Sequence, residues 1–99
     1  MYKDVISYQL SKNVSREQLL SIADKVVKNW MSNQPGFVKW EINSENDDKY
    51  IDIVSWVSKE DAQKAEADMM NAPDIKEWLA CYEKDSISSK KITEIKIFS

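Results

Sequence analysis

The run Tyr50-Ile51-Asp52-Ile53-Val54-Ser55-Trp56-Val57 constrains this chain more than any other stretch. Side chains alternate across a strand, so Ile51, Ile53 and Val57 point one way while Tyr50, Val54 and Trp56 point the other. A strand that is apolar on both faces belongs in the interior of a sheet, with cover above and below it. The rest of the chain must therefore supply strand neighbours for this run and something to pack on each side.

The neighbours can be read from the pattern. Residues 3–10 mix β-branched and aromatic types (Val5, Ile6, Tyr8) and read as a first strand. Ser15-Arg16-Glu17-Gln18 has the form of a capping box, and Leu19, Ile22, Ala23, Val26 and Trp30 follow at helical spacing, predicting a helix over 16–32. Pro35 and Gly36, the chain's only glycine, stop it with a turn. Residues 37–43 alternate as a half-buried strand and form a hairpin with 50–57 across the polar residues 44–48. Ser58-Lys59-Glu60-Asp61 caps a second helix carrying Ala62, Ala65 and Met69. Pro73 suits the first turn of a short third helix with Ile75, Trp78, Leu79 and Tyr82. Residues 85–90 read as linker and 92–98 as a closing strand.

Strand, helix, hairpin, two helices and strand make one α+β domain over residues 1–99, of the ferredoxin-like order β-α-β-β-α-α-β with a four-stranded antiparallel sheet. Helices in that order cover one face only. The other face would be an apolar patch larger than a monomer tolerates, and a second copy is the expected cover. The partner implied is a homodimer, its two sheets packed into an α+β barrel, with Val54 and Trp56 expected at the contact between copies.

Composition removes several classes of function. A formal charge of −3, with cations scattered as Lys3, Lys12, Arg16, Lys25 and Lys28, gives no basic patch for nucleic acid. The chain has one cysteine and no histidine, so an intrachain disulfide, a Ser-His-Asp set and a His-ligated haem or metal are ruled out. One glycine is too few for a phosphate-binding loop. No apolar stretch is long enough for a membrane span and no signal peptide opens the sequence, so the expected location is cytoplasmic, without membrane attachment. No metal and no cofactor are expected. Cys81 reads as a small core residue.

The segment Gln34-Pro35-Gly36-Phe37, a hairpin ending Ser55-Trp56, and then Ser58-Lys59-Glu60-Asp61-Ala62 resembles the antibiotic-biosynthesis-monooxygenase-like group. That resemblance covers most of the chain and implies a dimeric α+β barrel. It says little about function, because the group spans cofactor-free quinone-forming monooxygenases, haem-degrading enzymes, signal-molecule isomerases and members of no known role. Many relatives carry a His in the helix after the Trp; Ala65 stands at the comparable distance here.

Within this frame the rings Trp30, Trp40, Trp56, Trp78, Tyr8 and Tyr82 either line a flat pocket for a planar aromatic molecule or are plain core and interface. Trp40, Trp78, Tyr82 and Met69 are the candidate substrate-binding residues. Cofactor-free oxygenation needs a group that deprotonates an electron-rich phenol, and a carboxylate or phenol in apolar surroundings suits that task. Asp52 and Tyr8 are the candidates. The plainer reading pairs Asp52 with Lys39 or Lys96 across the sheet, and a one-residue slip of register would turn it to the other face. Two functions remain open: a cofactor-independent monooxygenase acting on a small phenolic or quinol-like molecule, and a non-catalytic dimer that binds a small ligand or serves in stress.

Overall fold

In the computed structural model, which describes all residues from Met1 to Ser99, the Tyr50 run becomes β3 (Lys49–Trp56) and takes an inner position in a four-stranded antiparallel sheet. β1 (Tyr2–Gln9) pairs with it on one side, setting Tyr2 opposite Trp56, Ile6 opposite Asp52 and Tyr8 opposite Tyr50. β2 (Phe37–Ser44) pairs on the other, with Trp40 opposite Val54 and Ile42 opposite Asp52. β4 (Ser88–Thr93) adds to the far side of β1, so the strand order is β2-β3-β1-β4. This is the α+β, ferredoxin-like arrangement predicted from the sequence.

The register assigns the faces. Tyr2, Ile6, Tyr8, Trp40, Tyr50, Asp52, Val54 and Trp56 share the face beneath the helices. There Val54 and Trp56 pack with Val26, Trp30, Ala62, Ala65 and Trp78, while Tyr8 and Tyr50 pack with Leu19 and Cys81. Val5, Ser7, Ile51, Ile53 and Ser55 occupy the opposite face, which no helix covers. Val54 and Trp56, expected at a contact between copies, are instead 6% and 3% exposed inside the chain's own core. Alternation says that two faces exist but not which one the helices take. The ring-bearing face offers the larger apolar area, and the helices cover it.

α1 (Arg16–Asn29) opens with a complete capping box: Ser15 Oγ accepts from the Gln18 amide at 3.1 Å, and the Gln18 side chain accepts from the Ser15 amide at 2.8 Å. Three residues before its predicted end, the helix gives way at Trp30 to a 3₁₀ turn (Met31–Asn33). Trp30 and Met31 are both buried, at 6% and 2% exposure. Two successive residues of a straight α-helix lie about 100° apart around its axis, so burying both rings and thioether is served by a change of backbone path.

α2 (Lys59–Asp68) is capped by Ser58, whose hydroxyl accepts from the Asp61 amide, and ends in a second 3₁₀ turn (Met69–Asn71). α3 (Ile75–Leu79) begins after Pro73 and Asp74. β4 lies earlier than the predicted closing strand, and every one of its side chains is exposed, so an edge position left no alternation to read. Ile95, Ile97 and Phe98 run on beyond it, 92%, 66% and 87% exposed.

Gly36 joins α1's end to β2 with φ +78°, and its carbonyl accepts from the Val57 amide at 2.8 Å. A Cβ there would overlap the Asp61 carboxyl group at the start of α2. Gly36→Ala therefore combines a strained backbone with a clash against a helix cap region. It is expected to lower unfolding free energy by more than about 1 kcal/mol, read from the urea midpoint at constant m-value.

Candidate functional site

A cavity of about 190 Å³ opens between the sheet and the helices, walled by Trp30, Met31, Trp56, Met69 and Trp78. Ala62 and Ala65 form its α2 side. Both are nearly fully buried, and their short side chains leave room in front of the Trp56 indole. Its floor is the helix-facing side of β1 and β3, through Ile6 and Val54. At the rim, Lys91 of β4 bonds Asp4 of β1 at 3.0 Å and reaches Glu66 of α2 at 3.4 Å, so one cation ties the two walls across the opening.

Trp56 Nε1 is buried and has no acceptor within the protein. A buried N–H left in that condition costs free energy comparable to a lost hydrogen bond. The other three indoles are satisfied: Trp30 Nε1 donates to Asp68 at 2.8 Å, Trp40 Nε1 to Asp52 at 3.0 Å and Trp78 Nε1 to the Tyr82 hydroxyl. The Trp56 ring lines the cavity, while its unsatisfied N–H lies among buried atoms.

Asp52 lies immediately beside the cavity floor. Its strand neighbour on the same face is Val54 and its cross-strand partner is Ile6, both lining residues, but Asp52 itself does not line the cavity. Neither Lys39 nor Lys96 pairs with it; Lys39 instead pairs with Glu41 at 2.9 Å. The Tyr8 hydroxyl donates to Oδ1 at 3.0 Å and Trp40 Nε1 to Oδ2 at 3.0 Å, so both oxygens are engaged. Burial pushes the Asp52 carboxyl up to about 6, and the two donors oppose that rise without cancelling it. Burial together with the facing carboxylate raises the Tyr8 phenol well above its ordinary value; burial first, then Asp52, does the same to Tyr82. Burial likewise raises the Cys81 thiol, which keeps it protonated and unreactive.

Of the residues singled out from the sequence, Trp30, Trp56, Trp78 and Met69 line the cavity. Asp52, Tyr8, Trp40 and Tyr82 form a connected group behind it, with Tyr8 and Tyr82 edge to face at 4.6 Å and Trp40 tilted against Trp78 at 5.6 Å. Lys91, Asp4 and Met31 were missed. Lys91 and Asp4 sit in strands that show only ordinary charge scatter, and Met31 lies at the unforeseen break after α1. No group of three or more His, Cys, Asp or Glu side chains converges anywhere to hold a metal ion. No helix is long and apolar enough to cross a membrane.

No family model and no curated protein matches the sequence. Solved structures do match the fold. SnoaB, a cofactor-independent oxygenase from Streptomyces nogalater, shares 16% identity with a TM-score of 0.75, covering 97% of this chain and 94% of its own. A monooxygenase from ActVA-Orf6 of Streptomyces coelicolor, solved in complex with nanaomycin D, shares 13% identity at a TM-score of 0.69, covering 99% and 90%. A conserved protein from Methanosarcina mazei Go1 shares 10% identity at 0.69, covering 95% and 92%. The class defined is thus the antibiotic-biosynthesis-monooxygenase fold, as the Pro-Gly-Phe and Ser-Trp segments suggested. At these identities the likeness is one of fold.

The elevated Asp52 value has a thermodynamic signature. A carboxyl whose folded-state value lies above its ordinary 3.8 favours the folded state while protonated, and that contribution is lost as pH rises from about 4 through about 6. Two pH units correspond to about 3 kcal/mol. In Asp52→Asn the amide can accept from Trp40 and donate to Tyr8, keeping the shape without the ionisation. The stability difference between wild type and Asp52→Asn, from urea unfolding, should move against wild type across pH 4–6 and stay flat above pH 7. A difference that is constant over the whole range would show that Asp52 titrates normally.

Proposed function

We propose that this chain is a cofactor-independent monooxygenase acting on a small phenolic or quinol-like molecule held in the indole-walled cavity. The observation that carries the reading is the cavity itself, walled by the Trp30, Trp56 and Trp78 indoles. Indole faces suit a flat ring. The fold it shares with a cofactor-independent oxygenase and with a monooxygenase in complex with nanaomycin D supports the same class.

In this reading Trp78 and Met69 contact the ring, while Trp40 and Tyr82 back that wall. Asp52 and Tyr8 form the acid–base pair. Asp52 does not line the cavity, so a ligand hydroxyl reaches it by a shift of the neighbouring side chains; each of its oxygens accepts one hydrogen bond and keeps a further lone pair for that proton. With its proton on a carboxyl of elevated pKa, the bound phenolate is electron-rich enough to react with dioxygen directly, and no metal or organic cofactor is invoked. One further observation favours the alternative of a non-catalytic dimer that binds a small ligand or serves in stress: both Asp52 oxygens are already engaged and neither faces the cavity.

The assembly in this reading is a cytosolic homodimer with no nucleic-acid or membrane partner. Val5, Ile51 and Ile53 make an apolar strip on the uncovered sheet face, and a second copy covering it would bury more than about 1,000 Å². Light scattering should give twice the 11.5 kDa chain mass. Ile53→Asp, which drives a charge into that strip, should shift the mass toward one copy.

Oxygen uptake tests the chemistry. With a hydroquinone or polyphenol and no added flavin, nicotinamide or metal, wild type should consume oxygen, and Asp52→Asn should slow turnover by about 100-fold. Trp56→Phe should raise KM or Kd for the phenol by removing part of the indole wall. Binding that survives in all variants without any oxygen uptake would select the ligand-binding reading.

A further inference from the structure

Four aromatic rings connect the cavity to the opposite end of the molecule. Trp78 lines the cavity and bonds the Tyr82 hydroxyl through Nε1. Tyr82 meets Tyr8 edge to face with centroids 4.6 Å apart, and Tyr8 stacks on Tyr50 at 5.7 Å and 16°. Tyr50 borders a separate surface cleft beside α1, where Arg16 Nε donates to its hydroxyl at 2.9 Å. Every link is a ring contact or a hydrogen bond, and the series bridges the two halves of the core. Packing alone accounts for stacked rings. It does not account for a carboxylate placed 3.0 Å from the Tyr8 hydroxyl, one of the two phenols in the middle of the series, where an apolar pair of similar shape would avoid the desolvation cost.

A tyrosine gives up an electron readily only when its hydroxyl proton can leave at the same time. Tyr8 is the ring in this series with a buried base at hydrogen-bond distance, and electron exchange between π-systems is fastest across such ring contacts. We propose that Trp78, Tyr82, Tyr8 and Tyr50 form a one-electron relay, with Tyr8 as its redox-active centre and Asp52 as the proton acceptor. The relay would rescue the cavity from strong one-electron oxidants.

The oxidant, on the proposed oxygenase reading, is of the peroxyl-radical class: the bound phenolate gives one electron to a first dioxygen, released as superoxide, and a second dioxygen adds to the resulting ligand carbon radical. One electron from Trp78 reduces ROO• to ROO⁻, which takes up the proton that Asp52 drew from the ligand hydroxyl, giving ROOH and leaving Asp52 ionised. Trp78 is refilled through Tyr82 by Tyr8. Tyr8 becomes the neutral phenoxyl radical as its proton passes to Asp52 Oδ1. A thiol-class reductant at the Tyr50 end returns the electron, the Asp52 proton goes back to Tyr8, and the thiol leaves as thiyl radical and proton.

The test needs neither substrate nor turnover, so it stands apart from the oxygenase reading. Azide radicals from pulse radiolysis oxidise indoles in the folded protein, and time-resolved absorbance follows tryptophanyl radical decay against tyrosyl radical growth. In wild type the transfer should be first order and independent of protein concentration. Tyr8→Phe should slow it by an order of magnitude or more, and so should Asp52→Asn, which keeps the Tyr8 ring but removes the proton acceptor. Tyr2→Phe, which alters a core tyrosine outside the series, should leave it unchanged. Near-ultraviolet circular dichroism establishes that each variant is folded; if Tyr8→Phe is not, the comparison of Asp52→Asn with Tyr2→Phe decides. Wild-type transfer rates in both Tyr8→Phe and Asp52→Asn, or in Asp52→Asn alone if Tyr8→Phe does not fold, would overturn the relay.

Discussion

The carboxylate of Asp52 ties this molecule together. It is 1% exposed at the middle of β3, in the centre of the sheet, and it is held by one donor from β1 and one from β2. An isolated carboxylate there would cost several kcal/mol, and two donors offset only part of that, which is why burial still raises its proton affinity. The consequence is positional. Moving β3 by one residue against either neighbour would send Asp52 to the uncovered face and bring Ile51 or Ile53 beneath the helices. Tyr8 and Trp40 would then be left without their acceptor. Register is fixed here by one polar residue as well as by apolar alternation.

With that register set, the two core clusters follow. Tyr2, Val54 and Trp56 meet the C-terminal half of α1 and the alanine face of α2 at one end, while Tyr8 and Tyr50 meet Leu19 and Cys81 at the other. Asp52 sits between them, and the Trp40–Trp78 and Tyr8–Tyr82 contacts flank it. Beneath its polar rim the cavity is lined by the first cluster and residues packed on it. On the α2 side the lining side chains Ala62 and Ala65 are small, and Met69 of the following 3₁₀ turn adds a thioether to the wall.

Much of this was legible in the residues, and the failures have physical causes. The element order, the hairpin and both serine caps were readable because alternation, helical spacing and the Ser-x-x-Gln box are local signals. The end of α1 was not, since the break at Trp30 answers to a tertiary demand to bury two adjacent large side chains. The closing strand was placed too late, over 92–98 and not 88–93, because an edge strand with exposed side chains need not alternate, whereas Ile95 and Ile97 alternate without being paired. Which face of β3 the helices choose is likewise a global matter. That choice put Trp56 in the cavity and left Ile51 and Ile53 on the open side.

Asp52 and Tyr8 show where a sequence-only argument stops. Polarity in an apolar run marked each as unusual, but a strand position says nothing about a partner 44 residues away. The alternative pairing with lysine assumed that a buried carboxylate seeks a cation. The structure instead satisfies it with a phenol and an indole, neutral donors that hold the charge without neutralising it. A lysine partner would have lowered the carboxyl's proton affinity and fixed it as an anion. With neutral donors its value rises to about 6, close enough to neutrality for the group to accept and release a proton under ordinary conditions. The chemistry proposed for this site depends on that difference in partner type more than on the presence of the carboxylate itself.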